Sequence, residues 1–225
     1  MGWCDSLTAY GYACAAVNYR LGFNVLRTGS AIRAGYRGLQ DARAAIRFFK
    51  EFHQQYKIDT SLIFVGGNSA GAMIALQTAY GEESDRPAAT YGISGTLDDD
   101  DDLGCLDCSG NNYQHSVDIA GVISCWGGVI DLEGLDATDQ SPVIMFHGEQ
   151  DAVVPIDSGL AFSGNGSFPL VYGSRAIHNE RQNLGLLSEL YVYPDENHNF
   201  YYDGAFFPSN YWDTLWNLSL SLIHI

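Results

Sequence analysis

A five-residue run, Gly67-Asn68-Ser69-Ala70-Gly71, constrains this chain more than any other feature. The apolar run 62–65 precedes it, and strong helix formers follow over 71–80. A strand that turns at once into a helix passes through a tight, strained bend. Glycine at 67 and 71 has a steric reason there: side chains two residues either side of the serine would meet strand or helix. The bend lifts the serine hydroxyl over the end of the strand, at the positive end of the helix. In that place the Ala70 N–H and the helix dipole can stabilise a developing oxyanion. Ser69 is therefore a candidate nucleophile, with Asn68 and Ala70 as candidate contacts to a substrate.

The rest of the chain alternates strand and helix. Residues 12–19 are a short apolar run read as a buried strand. Residues 38–56 carry Leu39, Ala42, Ile46, Phe49 and Phe52 at helical spacing. The runs 120–125, 143–146 and 190–193 are further buried-strand candidates, and 212–222 reads as a closing helix. Strands separated by helices imply an α/β fold with a mostly parallel sheet and helices on both faces. Two stretches break the rhythm. Residues 82–116, rich in Gly, Asp, Ser and Asn, are expected to pass over the C-terminal edge of the sheet, where such folds carry their sites. The aspartate run at 98–102 within it is either a calcium ligand set or, the simpler reading, a solvated and self-repelling loop. Residues 157–179 are expected to form a second loop.

A nucleophilic serine needs a base, and the base needs an orienting acid. In a sheet of this kind the order along the chain is serine, acid, histidine. After the strand 143–146 comes His147-Gly148-Glu149-Gln150-Asp151. Asp151 is the candidate acid, with Glu149 the alternative. After the strand 190–193 comes Pro194-Asp195-Glu196-Asn197-His198, and a histidine in the loop after the last strand is where the base belongs. His147 is read as a packed, hydrogen-bonded structural residue. His53 falls on the polar side of a helix, and His115 and His178 fall in the loops. Trp126, just past a strand, is a candidate for either the acyl pocket or the core. Tyr201, Tyr202 and Phe206 are placed to border a site.

Composition limits the partners. The 27 acidic against 11 basic side chains leave a net charge of −16, which disfavours nucleic acid and anionic membrane surfaces. A neutral or cationic substrate suits this charge. No run of eighteen apolar residues exists to span a membrane. The start lacks the basic and apolar regions of a secretory signal. Five cysteines leave at least one thiol unpaired, and Cys105-Leu106-Asp107-Cys108 is a disulfide loop, a redox pair or neither. No metal or other cofactor is expected.

The runs Ala16-Val17-Asn18-Tyr19-Arg20-Leu21-Gly22, Gln40-Asp41-Ala42-Arg43-Ala44-Ala45, Gly66 to Gly71, and His147-Gly148 with Asp151 and Val154-Pro155, followed by His198, resemble the carboxylesterase/lipase-like α/β-hydrolases. These include the hormone-sensitive-lipase-like and feruloyl- or acetyl-esterase-like enzymes. The resemblance covers about residues 6 to 215. It implies the α/β-hydrolase fold and a serine esterase with Ser69, Asp151 and His198 as nucleophile, acid and base, and it implies that the Asn-Tyr-Arg stretch is structural. One departure stands out. The His-Gly-Gly motif that completes the oxyanion hole in such enzymes has no counterpart upstream, so the first strands are expected to be missing from an N-terminally incomplete chain. The strand read at 12–19 would then face a gap in the sheet or close directly on the strand 62–65. The domain is expected to run over 1–219. Residues 220–225 resemble a translated sequencing-adapter end and are expected to be a non-native tail. The compartment stays open, with a secreted or periplasmic location favoured over others. A prolyl-oligopeptidase-type peptidase and a non-catalytic esterase-like binding module remain the alternatives.

Overall fold

The computed structural model describes residues 3–27, 29–92, 101–164, 166, 168–200, 214–215 and 217–219. Its helices are α1 (Trp3–Ala9), α2 (Ser30–Glu51), the single turn α3 (His53–Tyr56), α4 (Ala70–Tyr80), the short turn α5 (Ala161–Gly164) and α6 (Ser174–Asn183). Strands β1 (Phe64–Asn68), β2 (Gly121–Cys125), β4 (Val143–Gly148) and β7 (Ser188–Tyr193) form one sheet in the order β1-β2-β4-β7. All of its pairings are parallel. A second, antiparallel sheet joins β3 (Gly128–Val129), β6 (Leu170–Gly173) and β5 (Ser158–Leu160). This is an α/β-hydrolase fold.

The central strands are continuously apolar because both faces of the sheet are covered. Alternate residues feed two cores. Val122, Val143 and Met145 pack with Ile46 of α2, Leu76 of α4 and Ile177 of α6. Ile123, Ile144 and Phe146 face the other way, against Trp126, Phe200 and Leu215. Trp3 of α1 and Leu218 pack on that second cluster. Residues 214–215 and 217–219 are helical, which is the described part of the closing helix expected at 212–222.

Four expected strands appear with shifted ends, but the one at 12–19 does not. That segment is largely exposed and outside any ladder. A strand exists only where a neighbour offers a matching hydrogen-bonding edge, and among the described residues β1 is itself the edge of the sheet. The segment neither closes on β1 nor joins another ladder, and its Tyr12 N–H donates to the Leu7 carbonyl at 3.2 Å. Arg20 anchors it: its backbone N–H donates to Asp41 Oδ2 at 2.7 Å and its Nε–H to Asp41 Oδ1 at 2.9 Å. Helix α2 also starts at Ser30, eight residues before the expected 38.

Two loop expectations change. Residues 157–179 hold β5, β6 and most of α6 instead of one loop. Of the loop expected at 82–116, the described residues from 101 on lie along α2 instead of over the sheet edge. Tyr36 donates to the Gly104 carbonyl, Gln40 to those of Leu103 and Cys105, Arg47 to that of Ser109 and Lys50 to that of Asp118. Arg43 and Arg47 both reach the Asp107 carboxylate. The long polar side chains of α2 are buried because they satisfy the carbonyls of a segment with no ladder of its own. A Cys105–Cys108 disulfide closes the tip of this segment. Of the aspartate run, 98–100 lie outside the described residues. Asp102 is occupied by Arg86 and by the Gly104 N–H.

Candidate active site

Ser69 sits between β1 and α4 at φ 52°, ψ −123°. This is a sparsely populated conformation for a residue with a side chain, costing about 1–3 kcal/mol. Two hydrogen bonds hold it there: the Ser69 N–H donates to the Cys125 carbonyl at 2.9 Å, and the Ser69 carbonyl accepts the Met73 N–H at 3.0 Å. The helix is thus opened by the serine's backbone, and its hydroxyl makes no cap. Gly67 explains the close turn, since a Cβ there would lie 2.5 Å from the Gly71 carbonyl carbon. Gly71 does not meet the expected reason. A Cβ on it would have nothing within 4 Å, so only the first glycine is required sterically.

Asp151 and His198 reach Ser69 from two neighbouring strands. The loop after β4 and the loop after β7 are tied together. Glu149 N–H donates to the Tyr193 carbonyl at 2.9 Å and Gln150 N–H to the Glu196 carbonyl at 3.0 Å. Asn197 Oδ1 accepts the Ala152 N–H at 3.2 Å and the His198 N–H at 2.9 Å. Gly148 permits this contact, because a Cβ on it would stand 2.4 Å from the Glu196 carbonyl oxygen. His198 Nδ1 then lies 2.7 Å from Asp151 Oδ2, and His198 Nε2 lies 2.9 Å from Ser69 Oγ. The carboxylate can only accept, so the proton sits on Nδ1. Nε2 is left to accept the serine O–H.

The Asp151 side chain is fully buried, and that of His198 is 17% exposed. Burial alone would push the Asp151 carboxyl up. Hydrogen bonds from His147, His198 and the Val154 N–H overcome it and hold the carboxyl well below the usual carboxylate range. Asp151 Oδ1 takes the Val153 and Val154 N–H groups at 2.8 and 2.9 Å. Glu149, the alternative acid, points away and pairs with Arg175 at 2.7 Å.

Ser69 and Ala70 lie on the wall of a cavity of about 280 Å³. Met73, Ile130, Val153 and Phe168 make it apolar near the serine, and Glu82, Asp85 and Arg86 line it farther along α4. Asn68 and Trp126 are not on this wall. Asn68 is an exposed strand end. Trp126 is 0% exposed, packed on Phe200 at 5.0 Å between ring centres and edge-on to the His198 ring at 6.2 Å. Trp126 belongs to the core behind the base, because the strand that delivers it has both faces covered. The residues 201, 202 and 206 lie outside the described ones. The aromatic side chains that do line the cavity include Phe23, Phe162 and Phe168, with the Phe168 ring 5.5 Å from that of Phe23 and 4.4 Å from that of Phe162. Sequence reasoning missed them because they come from irregular segments with no periodicity to flag a shared wall. The other histidines lie elsewhere. His53 bonds the Lys50 carbonyl, His115 pairs with Glu51, and His178 is on α6 against Ser188.

The fold is similar to solved esterases. The apo form of Thermogutta terrifontis esterase 2 matches with a TM-score of 0.58 at 18% identity, over 92% of this chain and 69% of that one. The same esterase phosphorylated by paraoxon gives 0.56 at 17%, over 84% and 64%. A truncated form of a carbohydrate esterase from gut microbiota gives 0.55 at 17%, over 84% and 69%. This chain therefore spans about two thirds of the length of those solved chains. No curated protein matches its sequence. The sequence model of the BD-FAE family matches residues 2–141, a stretch that includes Ser69 and stops short of Asp151 and His198. The chain belongs to the BD-FAE family.

Proposed function

We propose that this chain is a serine hydrolase that cleaves carboxylic esters through an acyl-enzyme intermediate, a carboxylesterase/lipase-like enzyme. One observation carries the reading: Ser69 Oγ, His198 and Asp151 form an unbroken line of hydrogen bonds of 2.9 and 2.7 Å, although they come from three separate loops. His198 takes the proton from Ser69 as its oxygen attacks the ester carbonyl. Asp151 holds the imidazole in the required tautomer and balances its positive charge. The Ala70 N–H, at the first turn of α4, is the oxyanion donor, aided by the helix dipole. His198 then protonates the departing alcohol, and water releases the acid by the same steps in reverse order.

The apolar wall beside Ser69 suits the acyl or alcohol portion of a small-molecule or polymer-linked ester. The carboxylates of Glu82 and Asp85 farther along the wall, and the net charge of −16, favour neutral or cationic substrates. Structures of esterase 2 carrying organophosphorus groups, from sarin and cyclosarin among others, support looking for the same kind of adduct here. A secreted or periplasmic location is part of this reading, supported by the Cys105–Cys108 disulfide, since such bonds persist in oxidising compartments. The test is release of nitrophenol from short acyl esters. Wild-type protein is expected to release it and Ser69→Ala to lose the activity. Equal activity in both would remove the assignment.

A further inference from the structure

Asp151 is held by more than the base. One of its oxygens, Oδ1, is occupied by two backbone N–H groups. The other, Oδ2, which faces His198, has a second imidazole beside it: His147 Nε2 stands 3.3 Å away. His147 is the fifth residue of β4 and is 0% exposed. Its Nε2 is also 2.9 Å from the Val154 carbonyl oxygen, and its Nδ1 is 2.8 Å from Ser174 Oγ at the start of α6. The carbonyl can only accept, so Nε2 carries a proton. That N–H is shared between the Val154 carbonyl and Asp151 Oδ2. Nδ1 is then left with a lone pair, and the Ser174 O–H donates to it. Ser174 is itself fully buried, so this ordering is shielded from water.

We propose that His147 is a positioning residue for the acid, held in its tautomer by Ser174, and that it sets how strongly Asp151 holds the protonated form of His198. The proposal rests on the esterase reading of the site and deepens it. The physical argument concerns the basicity of one carboxylate. Each N–H directed at Oδ2 spreads the negative charge that His198 feels. Without the His147 donor the carboxylate is more basic, grips the imidazolium more firmly, and has one fewer contact fixing Oδ2. Two effects follow in opposite senses of charge and geometry. The base releases its proton only at higher pH, and the ring is aimed at Ser69 for less of the time. Val154 links the parts: its carbonyl orients His147, its N–H holds Asp151 Oδ1, and its side chain lines the cavity.

The experiment compares His147→Leu, His147→Gln and Ser174→Ala with wild type in nitrophenyl ester hydrolysis across pH, with Ser69→Ala alongside. Leucine removes the donor and keeps an apolar side chain. Glutamine restores an N–H near the position of Nε2. His147→Leu is expected to lower kcat about tenfold, the loss of one hydrogen bond to a charged group, with KM little changed. The acid limb of its kcat/KM profile moves to higher pH. His147→Gln recovers most of kcat and returns the limb. Ser174→Ala moves both in the same direction by less, about threefold in kcat. A folded His147→Leu protein with the wild-type kcat and acid limb overturns the proposal. If that variant fails to fold, the pH profile of Ser174→Ala decides, and an unshifted limb overturns it. Activity retained in Ser69→Ala would instead fail the esterase reading itself, whatever the His147 variants do.

Discussion

Gly67 and Gly71 meet backbone to backbone across the bend that carries Ser69: a Cβ on Gly67 would be 2.5 Å from the Gly71 carbonyl carbon and 2.7 Å from its oxygen. The reverse does not hold, for a Cβ on Gly71 would point into open space. Gly67→Ala is therefore expected to cost about 1–3 kcal/mol through overpacking. By displacing Ser69 it should lower ester hydrolysis about a hundredfold. Gly71→Ala is expected to leave activity within about threefold and to gain up to about 1 kcal/mol of helix stability. Urea unfolding and nitrophenyl ester assays on the two variants check this asymmetry. Equal damage from both would contradict it.

Asp151→Asn tests the tautomer argument. The amide keeps one oxygen for the Val153 and Val154 N–H groups and presents an NH₂ to His198. The ring must then accept at Nδ1 and carry its proton on Nε2, where it cannot take one from Ser69. Activity is expected to fall about 10⁴-fold at neutral pH with little change in fold. The same carboxylate has a pH signature. Its pKa is depressed on folding, so its contribution to stability is present above the unfolded carboxylate value, about 4, and is lost as pH falls through the folded value. The Asn variant should show a shallower acid-side loss of stability below about pH 4 than wild type in circular-dichroism titrations.

Asp139 carries the opposite sign. Burial, above all, raises its carboxyl to about 6, with the nearby Asp136 charge adding to the rise and the Asp136 N–H and Arg181 opposing it. Between about pH 4 and 6 the unfolded chain is ionised at this residue and the folded one is not, so stability falls as pH rises and stays lower above 6. Asp139→Asn is expected to add about 1 kcal/mol at pH 8 and nothing at pH 4. Urea midpoints at the two pH values measure it. A gain that is equal at both would refute the titration.

Much of the site was legible because its three side chains sit where the architecture demands special backbone. The strand-to-helix bend marks Ser69. The ends of two adjacent parallel strands mark Asp151 and His198, whose loops must lie side by side once β4 and β7 pair. The apolar runs of β2 and β4 were legible for a related reason: buried on both faces, they have no polar alternation. The segment 12–19 is also a short, mostly apolar run and forms no strand, since pairing is a property of a neighbour and not of the segment. The antiparallel sheet escaped notice because β5 and β3 are only three and two residues long, too short for a period. The role of α2 as a polar clamp was hidden likewise. Helical spacing marks the apolar side of α2 only, and the fold alone brings the Ser109 and Asp118 carbonyls to Arg47 and Lys50. Of the two readings open for Trp126, its complete burial places it in the core.

The most direct measurement is intact-protein mass spectrometry after incubation with a fluorophosphonate, followed by peptide mapping. The arrangement of Ser69, His198 and Asp151 predicts a single covalent adduct on the peptide that contains Ser69, absent from Ser69→Ala and strongly slowed in His198→Ala. No adduct on the folded wild-type protein, or an adduct that persists in Ser69→Ala, would contradict the account.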